Sequence, residues 1–239
     1  IVVCSGIAEI GLRLAGKKYN GSTYTADPLL GWSLRPGAGA WETGEGVAWS
    51  KINSHGFRDH ERPVTKPAGA FRIAVIGDSF TEARQVGLDD AYTSQTERAL
   101  NQEPVCCGNR RAEVLNFGVP GYGTAQELIM LKNRVWQFSP DLIVLQTYTG
   151  NDLFDNHRAL SLANSDETPY FLFRDGKLIL DDSFSQGPKF SPARIRLKGM
   201  GSDLMNSSIV LQSVYHVRLV LAQREKINAV HQRGTLPPD

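Results

Sequence analysis

The chain has few cysteines, no long apolar run and almost no net charge, and each shortage closes off a class of protein. Three cysteines in 239 residues are too few for a disulfide framework. Cys106 and Cys107 adjoin Gly108 and Asn109 in a loop-like stretch, and no Cys or His pair recurs at zinc spacing, so no metal is expected. A net charge of +1 leaves no electrostatic footprint for nucleic acid or for an acidic membrane face. The basic residues Arg194, Arg196 and Lys198 read as a solvated loop. The apolar run from Ile1 to Ala8 stops at Glu9, far short of the roughly 20 residues that a spanning helix needs. Gly118, Gly121 and Gly123 do not fit Gly-x-Gly-x-x-Gly, so no dinucleotide or other cofactor is expected. No internal repeat is visible.

What remains is a chain with 41% hydrophobic and 21% charged residues, the composition of a globular protein, long enough for one sizeable domain. Residues 1–17 have two readings, the remnant of an N-terminal membrane anchor and an ordinary buried segment; the abrupt start at Ile1 favours the anchor. Residues 18–70 are rich in Gly, Pro, Ser and Trp without a clear period. They read as an irregular preface with Trp32 and Trp41 as packing anchors. The main domain is expected over 71–239 with an insertion at about 158–200, and Pro237-Pro238-Asp239 shows no closing element, so the chain reads as a fragment at both ends.

The regular pattern begins at Phe71. Phe71 to Ile76, Glu113 to Phe117 and Asp141 to Thr147 are short apolar runs that predict buried strands. Asp89 to Leu100 and Thr124 to Phe138 predict helices, the second with Leu128, Leu131, Val135 and Phe138 on its apolar face and a Thr124/Glu127 capping box. This alternation predicts an α/β fold, with a parallel sheet and helices on both faces. Tyr170 to Asp181 predicts a hairpin turning at Asp175-Gly176. Ser202 to Gln232 reads as helix, with Leu204, Val210, Leu211, Val214, Val217, Leu221 and Ile227 as core and Gly234 as its end.

In a parallel sheet, ligands bind beyond the carboxyl ends of the strands. Each predicted strand is followed there by residues that carry chemistry. Gly77-Asp78-Ser79 presents a hydroxyl; alone it also reads as a serine capping the next helix. Asn116 to Gly123 holds glycines that allow sharp turns and a free N–H; alone it also reads as a plain turn. Thr149-Gly150-Asn151-Asp152 offers an amide that donates without acting as a base, although Asn-Asp is common turn chemistry too.

Together, Gly77-Asp78-Ser79, Gly121 and Gly150-Asn151-Asp152, with the lead-in Asn53-Ser54-His55-Gly56-Phe57-Arg58, resemble the signature blocks of the SGNH (GDSL-like) hydrolases, in particular bacterial, envelope-associated members. The resemblance covers roughly residues 50–157. It implies a flavodoxin-like three-layer α/β/α sandwich with a parallel sheet of about five strands. It implies Ser79 as nucleophile and an oxyanion hole made by the Ser79 N–H, the Gly121 N–H and the Asn151 side chain, with Asp78 and Asp152 shaping turns. The substrate would be a small-molecule or polysaccharide ester, the location the cell envelope, membrane-anchored with an extracytoplasmic domain.

One block departs from the pattern. The family takes its base from a late Asp-x-x-His, but Ile52, Phe57, Phe154, Ser213 and Asn228 stand three places before His55, His60, His157, His216 and His231. The expectation is that the base lies past Asp239 and that these 239 residues alone are nearly inactive; His157 stands only as an alternative to it, and His231 reads as a surface residue. Three functions compete: a serine esterase acting on an O-acyl, above all O-acetyl, ester of a carbohydrate or lipid; an O-acetyltransferase acting on an exported polysaccharide; and a non-catalytic glycan-binding module.

Overall fold

The computed structural model describes residues 2–103, 106–161, 165–218 and 220–221. Helix α1 (Val2–Leu14) is followed by two antiparallel hairpins, β1 (Tyr24–Asp27) with β2 (Gly31–Leu34), and β3 (Gly39–Glu42) with β4 (Ala48–Lys51). Within the irregular preface expected over 18–70, residues 24–34 and 39–51 are thus hairpins, while 52–69 form no helix or strand. Four-residue strands are too short to display a period, and their order comes from cross-strand pairs such as Trp41 and Trp49, whose rings meet edge to face at 5.5 Å.

The central sheet holds three parallel strands, β5 (Ala70–Gly77), β6 (Arg111–Gly118) and β7 (Leu142–Leu145), in the order β6-β5-β7. Between them lie α2 (Ser79–Glu82), α3 (Tyr92–Gln102) and α4 (Thr124–Met130). Side chains alternate across the sheet. Ala74, Ile76, Leu115 and Phe117 pack with Ile129 and Met130 of α4 and with Leu30, Leu34, Ile52 and Phe57 of the preface. Ile73, Val75 and Val114 face the other way, against Leu100 of α3. The molecule is thus mixed α/β with helices on both faces of a parallel sheet; three parallel strands are present among the described residues.

At the amino end of the sheet, fully buried Arg72 gathers the preface. It donates to Glu113 at 2.7 Å and to the carbonyls of Pro63, Val64 and Phe138 at 2.7–2.8 Å.

Helix α4 corrects two expectations. Its cap is Gly123, whose N–H donates to Gln126 Oε1 at 3.3 Å, so Thr124 and Glu127 form no capping box. After Met130 the run widens into a π-turn over Leu131–Val135, tightens over Trp136–Phe138, and stops at Ser139, whose φ is 52°. The π-turn rotates the apolar face: Ile129, Met130, Val135 and Phe138 are buried, whereas Leu128 is exposed. Strand β7 differs as well. Leu142, Val144 and Leu145 are 46%, 40% and 53% exposed, so this outer strand is open where a buried one was expected.

Beyond β7 come α5 (Asp152–Asp155), the hairpin β8 (Tyr170–Arg174) with β9 (Lys177–Asp181), and α6 (Pro192–Ser207). Asp175 and Gly176 turn the hairpin with φ of 49° and 75°, the left-handed pair a two-residue turn requires. Arg194, Arg196 and Lys198 lie on α6 and not in a loop, because Pro192 at the first helical position starts the helix ahead of them. The long helix expected from Ser202 breaks at Ser208, whose backbone is extended, and resumes over 209–218. Leu204, Leu211, Val214, Val217 and Leu221 are exposed, not core, because few described residues cover that side; Ile227, His231, Gly234 and 237–239 lie outside the described residues. Glu9 of α1 caps the resumed helix, accepting from Ser208 Oγ and from the N–H groups of Ile209 and Val210 at 3.0–3.1 Å. The bond from Val210 leads in drawing the Glu9 pKa down to about 2, burial opposing it. Among the described residues no helix is long and apolar enough to cross a membrane.

Candidate active site

Ser79, Gly121 and Asn151 each follow the carboxyl end of one of three adjacent parallel strands, and bonds stitch every pair of their loops together. Between the first and second, Val119 N donates to Gly77 O at 3.0 Å and Asn116 Nδ2 to Thr81 O at 2.7 Å. A Cβ on Gly118 would lie 2.2 Å from Glu82 N, so only glycine lets α2 approach this closely. Between the first and third, Thr81 Oγ1 donates to Gln146 Oε1 at 2.9 Å, and the rings of Phe80 and Tyr148 lie 4.8 Å apart. Between the second and third, Asn156 Oδ1 accepts from Ala125 N at 2.9 Å, and its Nδ2 donates to Thr124 Oγ1 at 2.6 Å.

Ser79 is the first residue of α2, and Asp78 is its cap, accepting from Phe80 N at 2.9 Å. The serine is therefore not the cap that the motif alone also suggested: Asp78 caps the turn, and Ser79 beside it stays half-exposed. Among the described residues the Ser79 hydroxyl has no hydrogen-bond partner. The Ser79 and Gly121 N–H groups likewise donate to no other described residue. Gly121 sits at φ 73°, a left-handed geometry that suits glycine and leaves its amide free of the turn bond that Tyr122 makes to Val119. Asn151 Nδ2 donates to Asp155 Oδ2 at 3.0 Å, leaving its second hydrogen available, while its Oδ1 is buried without a partner. Asp152 Oδ2 accepts from Tyr148 N at 2.6 Å and closes the turn that presents Asn151.

The preface reaches this site through Trp32. Its indole N–H donates to Pro120 O at 2.9 Å, its ring lies against Gly121, and its own carbonyl accepts from Tyr122 at 2.5 Å. No local pattern marks Trp32 for this role, since its partners are almost 90 positions away. Beside it opens a cavity of about 450 Å³, bounded by Tyr24 and Trp32, by Pro120 and Gly121, and by Glu167 and Lys198 of the insertion.

The described histidines do not join the site by hydrogen bonding. His55 contacts Arg62 O and the Phe138 ring at the amino end of the sheet. His60 lies 3.4 Å from Asp89, and His216 packs on Tyr19. His157, the alternative base, is exposed just past α5, its Nδ1 accepting from Ala159 N, and is not bonded to Ser79. Among the described residues no cluster of His, Cys, Asp or Glu is arranged to hold a metal ion.

Carboxyls dominate the floor of the site. Asp78, Glu127, Asp152 and Asp155 are all buried. Burial first, then the charges of Asp152 and Asp78, raises Glu127 to about 8. Burial raises Asp78 and Asp152 as well. Sequence reasoning missed Glu127 because its position suggested an exposed helix cap. No family model matches this chain, and no curated protein matches it.

Proposed function

We propose that the protein is a serine esterase of the SGNH (GDSL-like) type, with a flavodoxin-like sandwich, acting on an O-acyl ester of a carbohydrate or lipid at the cell envelope. The observation that carries this reading is that two undonated backbone N–H groups, at Ser79 and Gly121, share one end of the sheet with a half-used carboxamide at Asn151. Donors left unpaired by a fold at one end of a sheet can serve a developing oxyanion, and losing one such donor typically costs 10²–10³-fold in rate.

In the reaction, Ser79 Oγ bonds to the ester carbonyl carbon and the carbonyl oxygen takes up the negative charge, facing the three donors. The hydroxyl proton passes to a general base, for which the resemblance implies a histidine, and from it to the departing alcohol as the ester C–O bond breaks. Water then attacks the acyl-serine, and the carboxylic acid leaves. The cavity beside Gly121, walled by Tyr24 and Trp32 with Lys198 at its edge, suits a sugar ring as the alcohol portion. If a sugar hydroxyl took the place of water, the same site would perform O-acetyl transfer. The glycan-binding reading draws on one observation, that no described histidine is bonded to Ser79.

A fluorophosphonate probe tests the reading in the full-length protein, alongside release of acetate from an acetylated oligosaccharide. Labelling at Ser79 and acetate release, both lost in Ser79→Ala, are expected. Oligosaccharide binding that survives Ser79→Ala, with no labelling, would establish the binding module instead.

A further inference from the structure

The cavity beside Gly121 is walled by segments far apart in the chain, and specific bonds bring them together. Helix α6 is seated on the preface by Asn206, whose Oδ1 accepts from Ser22 N at 3.0 Å and whose Nδ2 donates to Ser22 O at 2.8 Å. Asp203 of the same helix accepts from Arg35 at 2.5 Å. A Cβ on Gly31 would overlap Glu167 O, so only glycine, here at φ 88°, lets the 165–167 turn come this close to β2. Lys198, about two turns before Asn206, thereby stands in the wall of the cavity that Gly121 also lines.

The side chains that carry charge in this wall are Glu167, Lys189 and Lys198. Glu167 and Lys189 form an ion pair and cancel. Tyr24 Oη accepts from Arg84, itself paired with Glu42. Arg35, whose Cδ lies beside Gly199, is paired with Asp203. Lys198 is exposed and has no hydrogen-bond or ion-pair partner among the described residues. Its neighbours three and four places away on α6 are Arg194, Ile195, Gly201 and Ser202. None is acidic, and Arg194 is a like charge on the same face, which costs helix stability. The fold therefore gains nothing from this cation, and the cavity is left with one uncompensated positive charge.

We propose that the cavity takes an acidic sugar, a uronic-acid residue of a polysaccharide, and that Lys198 selects it by pairing with the sugar carboxylate. One free ammonium matches the single charge of a carboxylate. A volume of about 450 Å³ lies in the range of small-molecule sites. Tyr24 and Trp32 offer ring surface to the C–H groups of a sugar, and Ser22 and Ser202 line the same space for its hydroxyls. The proposal rests on the esterase reading only for the consequence of binding: since Gly121 borders the cavity, an acidic sugar seated there has its O-acyl group next to the proposed oxyanion donor. Selection of the carboxylate itself needs no chemistry at Ser79.

The test measures binding without an ester, in the full-length protein. Trigalacturonate and the same trisaccharide with its carboxyls reduced are titrated calorimetrically at low salt. The wild type is expected to bind the acid about fivefold more tightly, the upper worth of an exposed ion pair, and to lose this preference at high salt. The ratio is expected to fall to about one in Lys198→Met and below one in Lys198→Glu, and to persist in Lys198→Arg. It should also persist in Arg196→Met, which removes a charge from the opposite face of α6. All four positions changed are exposed side chains on α6, and circular dichroism confirms that each variant is folded. A wild-type ratio near one overturns the proposal, as does a ratio that Lys198→Met leaves intact or that Arg196→Met lowers equally. If the ratio depends on Lys198 but Ser79 takes no fluorophosphonate, the esterase reading fails and the acidic-sugar site stands. Labelling of Ser79 and acetate release with a ratio near one leave the esterase and end this proposal.

Discussion

Trp32 holds the Gly121 loop from both sides: its indole N–H donates to Pro120 O at 2.9 Å, and its own carbonyl accepts from Tyr122 Oη at 2.5 Å. The Gly121 N–H is therefore aimed by a hairpin from the preface as much as by the strand it follows. Trp32→Phe keeps a ring against Gly121 but leaves Pro120 O without its donor. The expected cost is about 1 kcal/mol of stability, measured by urea denaturation. On the proposed esterase reading, the rate of fluorophosphonate labelling at Ser79 should fall further than stability alone predicts, because the proposed Gly121 donor shifts. Equal labelling rates in both proteins would show that Trp32 packs against the loop without aiming it.

Arg72 is the counterpart at the other end of the sheet. Fully buried, it pairs with Glu113 and donates to three carbonyls, those of the adjacent Pro63 and Val64 and that of the distant Phe138. Arg72→Met fills much of the volume but strands Glu113 and those carbonyls. A loss of about 3–5 kcal/mol is expected, the usual cost of breaking a buried ion pair by removing one partner. The check is the midpoint of chemical denaturation at unchanged m-value.

These two residues mark where the sequence was and was not legible. Strands β5 and β6 were readable because each is a run of apolar residues closed by glycine, and the placement of Ser79 and Gly121 followed from where those runs end, as that of Asn151 followed from the end of β7. The two hairpins, the π-turn after Met130 and the breaks around Ser208 carry no such local mark. Each depends on pairing or packing with distant residues, as Trp32 does with Pro120. Glu127 was misread for the same reason: a glutamate in the first turn of a helix ordinarily faces water, and only the tertiary fold brings α5 over it.

Glu82, three residues past Ser79, makes the stability of the protein depend on pH. Its carboxyl is fully buried, and both oxygens lack hydrogen-bond partners. Burial raises its pKa from 4.5 to about 7, with Arg84 and Arg58 opposing and Glu42 adding to the rise. A carboxyl whose pKa is higher in the folded state contributes stability that is fully present below the unfolded value and lost as pH rises through the folded value. Stability is expected to decline from about pH 4.5 on account of both Glu82 and Glu127, the Glu82 share ending near pH 7 and the Glu127 share near pH 8. Glu82→Gln should make the decline between about pH 4.5 and 7 shallower and leave the part from pH 7 to 8. Thermal denaturation across pH 4–9 checks this, and an unchanged decline below pH 7 would assign it to another group.

The last prediction concerns β7. It pairs with β5 through Leu142–Leu145, and no described residue pairs with its other edge. Leu142, Val144 and Leu145 are exposed there, with Tyr148, Leu153 and Phe154 following close behind. An unpaired strand edge with apolar side chains is a template for another chain, and an apolar patch of this kind drives association in water. The 239-residue chain is therefore expected to self-associate as its concentration rises, which analytical ultracentrifugation would detect as a growing weight-average mass. Val144→Lys places a charge on that strand, where pairing with a second copy would bury it without a partner. It should shift the onset of association to at least about tenfold higher concentration, the equivalent of 1.4 kcal/mol, while leaving β5 and β6 intact by circular dichroism. Association that is unmoved by Val144→Lys would place the contact on another surface, with the exposed apolar residues Val214 and Val217 of the 209–218 helix as the next to test.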